Sequence, residues 1–345
     1  MKANGLFGGK YVKIEKREYE LGAVGPNHAL VAVKACGVCG TDLNFLRDCE
    51  GELRPMGHEL TGTVIEVGMC VKNVAVGTKV VVEDLAYCGV CPDCQNGRIQ
   101  SCRNMLSGGG RPGMADYMLI DARCLVPFDG LSFEAASLTE PLAVGLCAVE
   151  ESDMPFGGSV VVFGHGPIGL LAARCAILKG AGFVAVVGTS RDTPLGAKRL
   201  DVAEKLGCQL TLESMKQDVV AELRKRFPDG VDRVIVTSPP RTVPDAIKCV
   251  HFGGCVAMLG ISFGGGEKIT LDVNHAVFNK IALKGVIAEP ALHFNTALDL
   301  LKSNAVNPDL FLTHFAAFET LGSVCTDLLE HKIPAVKICL RPNRC

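Results

Sequence analysis

Cys88, Cys91, Cys94 and Cys102 follow the spacing C-x2-C-x2-C-x7-C in the segment YCGVCPDCQNGRIQSC. Four thiolates in one short loop can surround a tetrahedral metal with Zn–S near ~2.3 Å, and a shell closed by four cysteines leaves no open position. The spacing therefore predicts a structural zinc. An iron–sulfur cluster also takes four cysteines, but the common ferredoxin spacings differ. A nucleic-acid-binding zinc ribbon would need more basic surroundings than Arg98 and Arg103 supply. A second constellation is spread along the chain: Cys36 in CGVCGTD, His58 and Glu59 in GHELTG, and Glu140 in EPLA. Zinc accepts thiolate, imidazole and carboxylate together. Singly, each has a plainer explanation, a buried cysteine being commonly a small core residue; alongside the four-cysteine loop they read as a second metal set.

A third feature is Gly164-His165-Gly166-Pro167-Ile168-Gly169, which fits G-x-G-x-x-G. Such glycines permit a tight turn, close approach of a pyrophosphate and close helix–sheet packing, provided a strand precedes them and a helix follows. The context meets that condition, with Val160–Phe163 before and an apolar helical stretch after. An NAD site usually carries Asp or Glu at the end of the next strand, where it binds the ribose 2′-hydroxyl. That region reads Gly188-Thr189-Ser190-Arg191, which favours NADP over NAD; the alternative is a neutral turn with Asp192 on the ribose.

These residues need elements to hold them. Up to about residue 130, short apolar runs such as Ala29–Ala35, Gly62–Val67 and Lys79–Glu83 are punctuated by Gly and Pro, which favours β structure. From Phe156 the rhythm changes. Strands are expected at Ser159–Phe163, Phe183–Val187, Val231–Thr237, Cys255–Leu259 and Ala282–Ile287, and helices at Pro167–Gly180, Lys198–Gly207 and Pro244–Val250. The alternation argues for a parallel sheet wrapped by helices. Two amphipathic stretches, Asn295–Lys302 and Glu319–His331, and a strand Ala335–Leu340 close the chain.

Composition bounds the rest. The chain has 345 residues, 48% hydrophobic and 21% charged, with a net charge of −2. That suits two ordered domains and lacks the basic footprint of a nucleic-acid binder. Seventeen cysteines cannot all pair, and a chain this long reads as a reduced cytoplasmic protein. The N-terminus lacks the apolar core of a signal peptide. Val160–Leu178 is the most membrane-like stretch, but Gly164, Gly166, Pro167 and Gly169 break it into strand, turn and helix. No membrane span is expected.

Taken in order, CGVCGTD, GHELTGTVIEVGMCV, the four-cysteine loop and FGHGPIG resemble the medium-chain, zinc-dependent alcohol dehydrogenases, and the glutamate of EPLA resembles the sorbitol (polyol) and threonine dehydrogenase branch. The resemblance runs from about Ala29 to Pro342. It implies an α/β chain in which a doubly wound parallel-sheet Rossmann domain (141–287) is inserted in a β-rich, GroES-like, zinc-bearing catalytic domain (1–140 plus 288–345). It implies two zinc ions per chain. Cys36 and His58 would bind the catalytic one, with Glu59 a direct or exchangeable ligand and Glu140 a fourth ligand or partner of the zinc-bound water. Cys39 falls where the family usually has a non-ligand cysteine. Asp42 would orient the ligand histidine, and Thr41 would hydrogen-bond the alcohol oxygen. Many members end the proton relay with a histidine three residues after this hydroxyl; here it is Asn44, which points to Glu140 through water instead.

Sorbitol-type members carry a basic residue soon after the KG of the last nucleotide-domain strand. This chain has Ala288 and Glu289 after Lys284-Gly285-Val286-Ile287, a departure from a strict sorbitol assignment. By the same resemblance Phe45, Leu46 and Arg47 flank the pocket. The implied activity is NAD(P)-dependent oxidation of a secondary alcohol (a polyol, sugar or related compound) to a ketone, or the reverse, by a homodimer or homotetramer. The rivals are a zinc-free quinone or enone reductase and a non-catalytic metal- and nucleotide-binding redox sensor.

Overall fold

The computed structural model describes residues 1–290 and 293–342; Cys345, one of the cysteines without an expected role, lies outside them. Two compact units divide the chain. One comprises Met1–Ala143, Glu289–Leu329 and the residues from Lys337; the other comprises Val144–Ala288 with Glu330–Val336. The assignment of Glu330–Val336 to the second unit has no counterpart in the sequence pattern.

The second unit is built on six strands in the order Leu210–Glu213, Phe183–Gly188, Ser159–Phe163, Val231–Val236, Val250–Met258, Ala282–Gly285. Every pairing is parallel. SVVVF and FVAVVG are buried at every position, as strands covered by helices on both faces must be. The chain starts at the third strand of this order and reverses direction next to it. The switch point therefore falls between Ser159–Phe163 and Val231–Val236, where open α/β sheets bind their ligands.

Local chemistry sets the helix starts. Pro167–Leu178 opens with Pro at its first turn after Gly166. The second helix begins at Pro194 rather than the expected Lys198, because Thr193 caps it by accepting from Gly196 N–H at 3.1 Å. Asp218 caps Val219–Arg226, a helix the sequence pattern did not suggest.

In the first unit seven strands form a sheet: Leu125–Pro127, Lys79–Val82, Glu59–Val67, His28–Gly37, Lys337–Leu340 and Leu312–Ala316 in order, with Tyr117–Asp121 also paired to His28–Gly37. Lys337–Leu340 pairs antiparallel with His28–Gly37, setting Leu340 opposite Cys36. The last strand begins at Lys337, not Ala335. A hairpin, Lys2–Gly9 with Lys13–Glu20, precedes the sheet; its second strand, KIEKREYE, is too polar and exposed to announce itself. Two further helices, Gly40–Asp48 and Thr139–Glu151, carry Thr41 and Glu140 in their first turns. No helix among the described residues is long and apolar enough to cross a membrane.

Candidate functional site

In the first unit, ligand atoms of Cys39, His58 and Glu59 all lie within 4.8 Å of one another. Cys36 was the expected thiol, and the geometry puts Cys39 in its place. Cys36 sits on the strand His28–Gly37 and is fully buried, its Sγ donating to the Gly37 carbonyl at 3.6 Å. Burial first, then the Asp42 and Glu59 carboxylates, push its thiol well above the ordinary range. Cys39 instead caps the helix Gly40–Asp48, its sulfur accepting from Thr41 N–H at 3.5 Å.

Asp42 completes a capping box, one oxygen accepting from Cys39 N–H and the other from Gly57 N–H, each at 3.0 Å. The expectation was that Asp42 orients the histidine ring. Its recorded bonds go to the backbone, tying the Cys39 turn to the residue before His58. Two glycines make room. Gly57 has φ +84, and a Cβ there would stand 2.8 Å from Cys36 Sγ; a Cβ on Gly37 would overlap Glu59 Oε2.

Charge crowds this place. Glu59 is fully buried and accepts from the Lys337 ammonium, itself buried. Burial works against the Lys337 cation, but Glu59, then Cys39, more than offset it, and the ammonium is held above its ordinary pKa. His58 behaves alike: burial opposes its protonation, while Cys39, Glu140 and Asp42 raise it well above the usual imidazole value. The Glu140 carboxyl lies outside the Cys39 cluster. Burial pushes it up to about 8, with His58 acting against that rise and Glu59, Asp84 and Glu289 adding to it. Asp84 is likewise raised by burial and feels His58 next; neither Asp84 nor Lys337 was found from the sequence. Glu59 Oε2 and Glu140 Oε2 are buried without a hydrogen-bond partner. Buried anions persist when paired or bound to a metal, so this donor set, thiol, imidazole and orphaned carboxylate oxygens, fits a zinc ion. Thr41 and Asn44 are half-buried on the neighbouring helix, and Asn44 Oδ1 accepts from Arg47 at 3.0 Å.

The four sulfurs of Cys88, Cys91, Cys94 and Cys102 also cluster within 4.8 Å, with Cys91–Cys94 at 3.5 Å and Cys91–Cys102 at 3.9 Å. Backbone N–H groups of Val90 and Cys91 point at Cys88 Sγ from 3.5 and 3.3 Å. Hydrogen bonds from the Cys94 and Arg103 backbones lower the Cys91 thiol to about 6. Asp93, between two of the cysteines, accepts from Arg98 at 2.8 Å and Arg103 at 3.0 Å, which pins the loop to itself. These donors suit a metal-thiolate shell.

The second unit holds a cavity of about 910 Å³ at the switch point, lined by Gly164, His165 and Gly166, by Gly188 and Thr189, and by Thr237 and Ser238 among others. Gly164 has φ +119, and a Cβ on Gly169 would overlap the Gly164 carbonyl. A Cβ on Gly166 would meet nothing within 4 Å, leaving the helix N-terminus open to a phosphate. Pro167, Ile168 and Gly169 belong to the helix and do not line the cavity, and neither do Ser190 and Arg191. The Arg191 guanidinium pairs with Asp201 and Glu204.

Residues 25–130 match the family profile described as alcohol dehydrogenase GroES-like domain, and residues 167–303 that of zinc-binding dehydrogenase. The chain is 33% identical to (R,R)-butanediol dehydrogenase of Bacillus subtilis, over 92% of this chain and 93% of the relative. It is 29% identical to sorbitol dehydrogenase of the same organism, over 100% and 98%. Among solved structures, a zinc-binding dehydrogenase from Sinorhizobium meliloti bound to NADP superposes with a TM-score of 0.84 at 28% identity, covering 99% of this chain and 100% of that one.

Proposed function

Because the chain belongs to the zinc-dependent, medium-chain alcohol dehydrogenase family, we propose that it oxidises a secondary alcohol, a polyol, sugar or related hydroxy compound, to a ketone, or runs the reverse reduction, with a nicotinamide dinucleotide as hydride carrier. The observation that carries this is the cluster of Cys39, His58 and Glu59, together with two buried carboxylate oxygens, Glu59 Oε2 and Glu140 Oε2, that have no hydrogen-bond partner. Cys39, His58 and Glu59 would hold the catalytic zinc, with Glu140 as fourth ligand or partner of its water, and Cys88, Cys91, Cys94 and Cys102 the structural one. Zinc, when bound, supplies a Lewis acid that lowers the pKa of an alcohol oxygen; the nicotinamide supplies the hydride acceptor.

The chain's own groups do the rest. The Thr41 hydroxyl orients the substrate oxygen and takes its proton onward. Asn44 cannot titrate and its side-chain oxygen is bonded to Arg47, so the proton leaves through water to Glu140. Asp42 fixes the spacing of Cys39 and His58 through the backbone. The complete mixed-ligand set and four-thiolate lobe speak against a zinc-free reductase.

The cofactor reading is NADP over NAD. It is supported by the missing acid at Gly188 and by Thr189 in the cavity wall; Arg191 lends it no support while held by Asp201 and Glu204. A homodimer, alone or as the unit of a homotetramer, joined at the edge strand Ala282–Gly285 accounts for the side left unpaired among the described residues and for the exposed Val277, Phe278 and Ile287. Seventeen cysteines in so long a chain suit the reducing cytoplasm. The reading is tested by metal analysis of the purified chain: about two zinc ions per chain support it, and none would refute it.

A further inference from the structure

His165 occupies the second position of the glycine motif, where its ring lies against the end of the neighbouring strand. A Cβ built on Gly188 would stand 3.0 Å from both Cγ and Cδ2 of His165 and 2.8 Å from Leu200 Cδ2. Gly188 is the strand-end position at which an acid would read the ribose 2′-hydroxyl. The absence of that acid therefore has a physical counterpart: the imidazole holds the space its first carbon would need. His165 Nε2 is buried with no hydrogen-bond partner, so the ring makes no bond there to compensate its burial. Its ring also lines the cavity. Swinging it outward would carry it into the volume a dinucleotide needs.

We infer that His165 is a specificity-determining residue, and that the choice between a 2′-phosphorylated and an unphosphorylated dinucleotide is set jointly by positions 165 and 188. This rests on the reading of the cavity as the dinucleotide site. Burial first, then Arg199 and His331, hold the native imidazole down to about 4, so in the native chain the ring carries no charge at this position. The sequence alone points to Thr189, Ser190 and Arg191 for this choice. Of these, only Thr189 lines the cavity.

The test is a double-mutant cycle read by binding. NADPH and NADH are titrated against the zinc-loaded native chain, Gly188→Asp, His165→Ala and the double variant, following nicotinamide fluorescence without substrate. Gly188→Asp should weaken NADH binding by roughly tenfold or more in the native background and by no more than about threefold in the His165→Ala background. The double variant should also bind NADH more tightly than NADPH. Equal losses in both backgrounds would overturn the inference, assigning the obstacle to Leu200. So would a Gly188→Asp single variant that already binds NADH as well as the double variant does. If the aspartate variants fail to fold, the same cycle with Gly188→Ala reads the steric part alone, with thermal melts confirming the fold. A native chain that binds neither dinucleotide would overturn the cofactor reading itself, and this inference with it.

Discussion

Lys337 and Glu59, 278 residues apart in sequence, form an ion pair with side-chain exposures of 2% and 0%. The pair joins the strand Lys337–Leu340 to the strand that begins beside His58. Removing one member leaves the other buried and unpaired, which typically costs about 3–5 kcal/mol. Lys337→Met should therefore lower the unfolding free energy of the zinc-depleted chain by an amount of that order in urea titrations. Lys337→Met combined with Glu59→Gln should recover part of the loss, since no unpaired charge then stays inside.

The thiol assignment separates two cysteines three residues apart. Cys39→Ser should reduce the metal content from about two zinc ions per chain to about one, while Cys36→Ser should leave it unchanged. Atomic absorption on the dialysed proteins decides between them. Loss of zinc from Cys36→Ser alone would return the role to Cys36.

Asp232 lends the second unit a defined acid sensitivity. Its carboxylate accepts from Ser159 N–H at 2.8 Å, Ser159 Oγ at 2.6 Å and His251 Nε2 at 3.1 Å. Burial opposes its ionisation, but the Ser159 and His251 bonds prevail and hold it at about 2, against an ordinary 3.8. For a carboxyl depressed on folding, the stabilisation is complete above the unfolded pKa and is lost as pH falls through the folded one. Here that window runs from just above 4 down to about 2. Asp232→Asn should destabilise the protein by about 1 kcal/mol near neutral pH, because solvent at this partly exposed position screens part of the effect. The difference from the native chain should shrink across this window in urea titrations taken at a series of pH values.

The edge strand offers a prediction about assembly. Ile287 is 72% exposed and Phe278 76%. Phe278→Glu combined with Ile287→Glu should convert a sedimenting dimer to monomer while the far-ultraviolet circular dichroism stays native. A native chain that sediments as a monomer would refute the proposed interface.

Much of this was legible in the sequence, for physical reasons that also explain the misses. SVVVF followed by a glycine turn and an apolar stretch has one consistent reading, because strand, turn and helix each state their own local preference. The four-thiolate lobe is equally local. Cys36 and Cys39 were harder to separate. Both are small and soft, and only the register of the strand against Leu340 and the cap of the following helix decide which sulfur faces His58. A signal was available: Cys39 and Asp42 stand at capping-box spacing, which places Cys39 at the helix start. No local pattern could have joined Lys337 to Glu59, or revealed that Arg191 is held by acids one helix away.

Removal of hydride from a secondary alcohol at a zinc held by Cys39 and His58 can be watched directly. The most direct test follows dinucleotide reduction at the NADPH absorbance across a panel of polyols and simple secondary alcohols, using the zinc-loaded native chain beside Cys39→Ser. The native chain should turn over at least one polyol or diol, and Cys39→Ser none. A zinc-loaded native chain that reduces neither NADP nor NAD with any secondary alcohol, or full turnover in Cys39→Ser, would overturn the proposed chemistry.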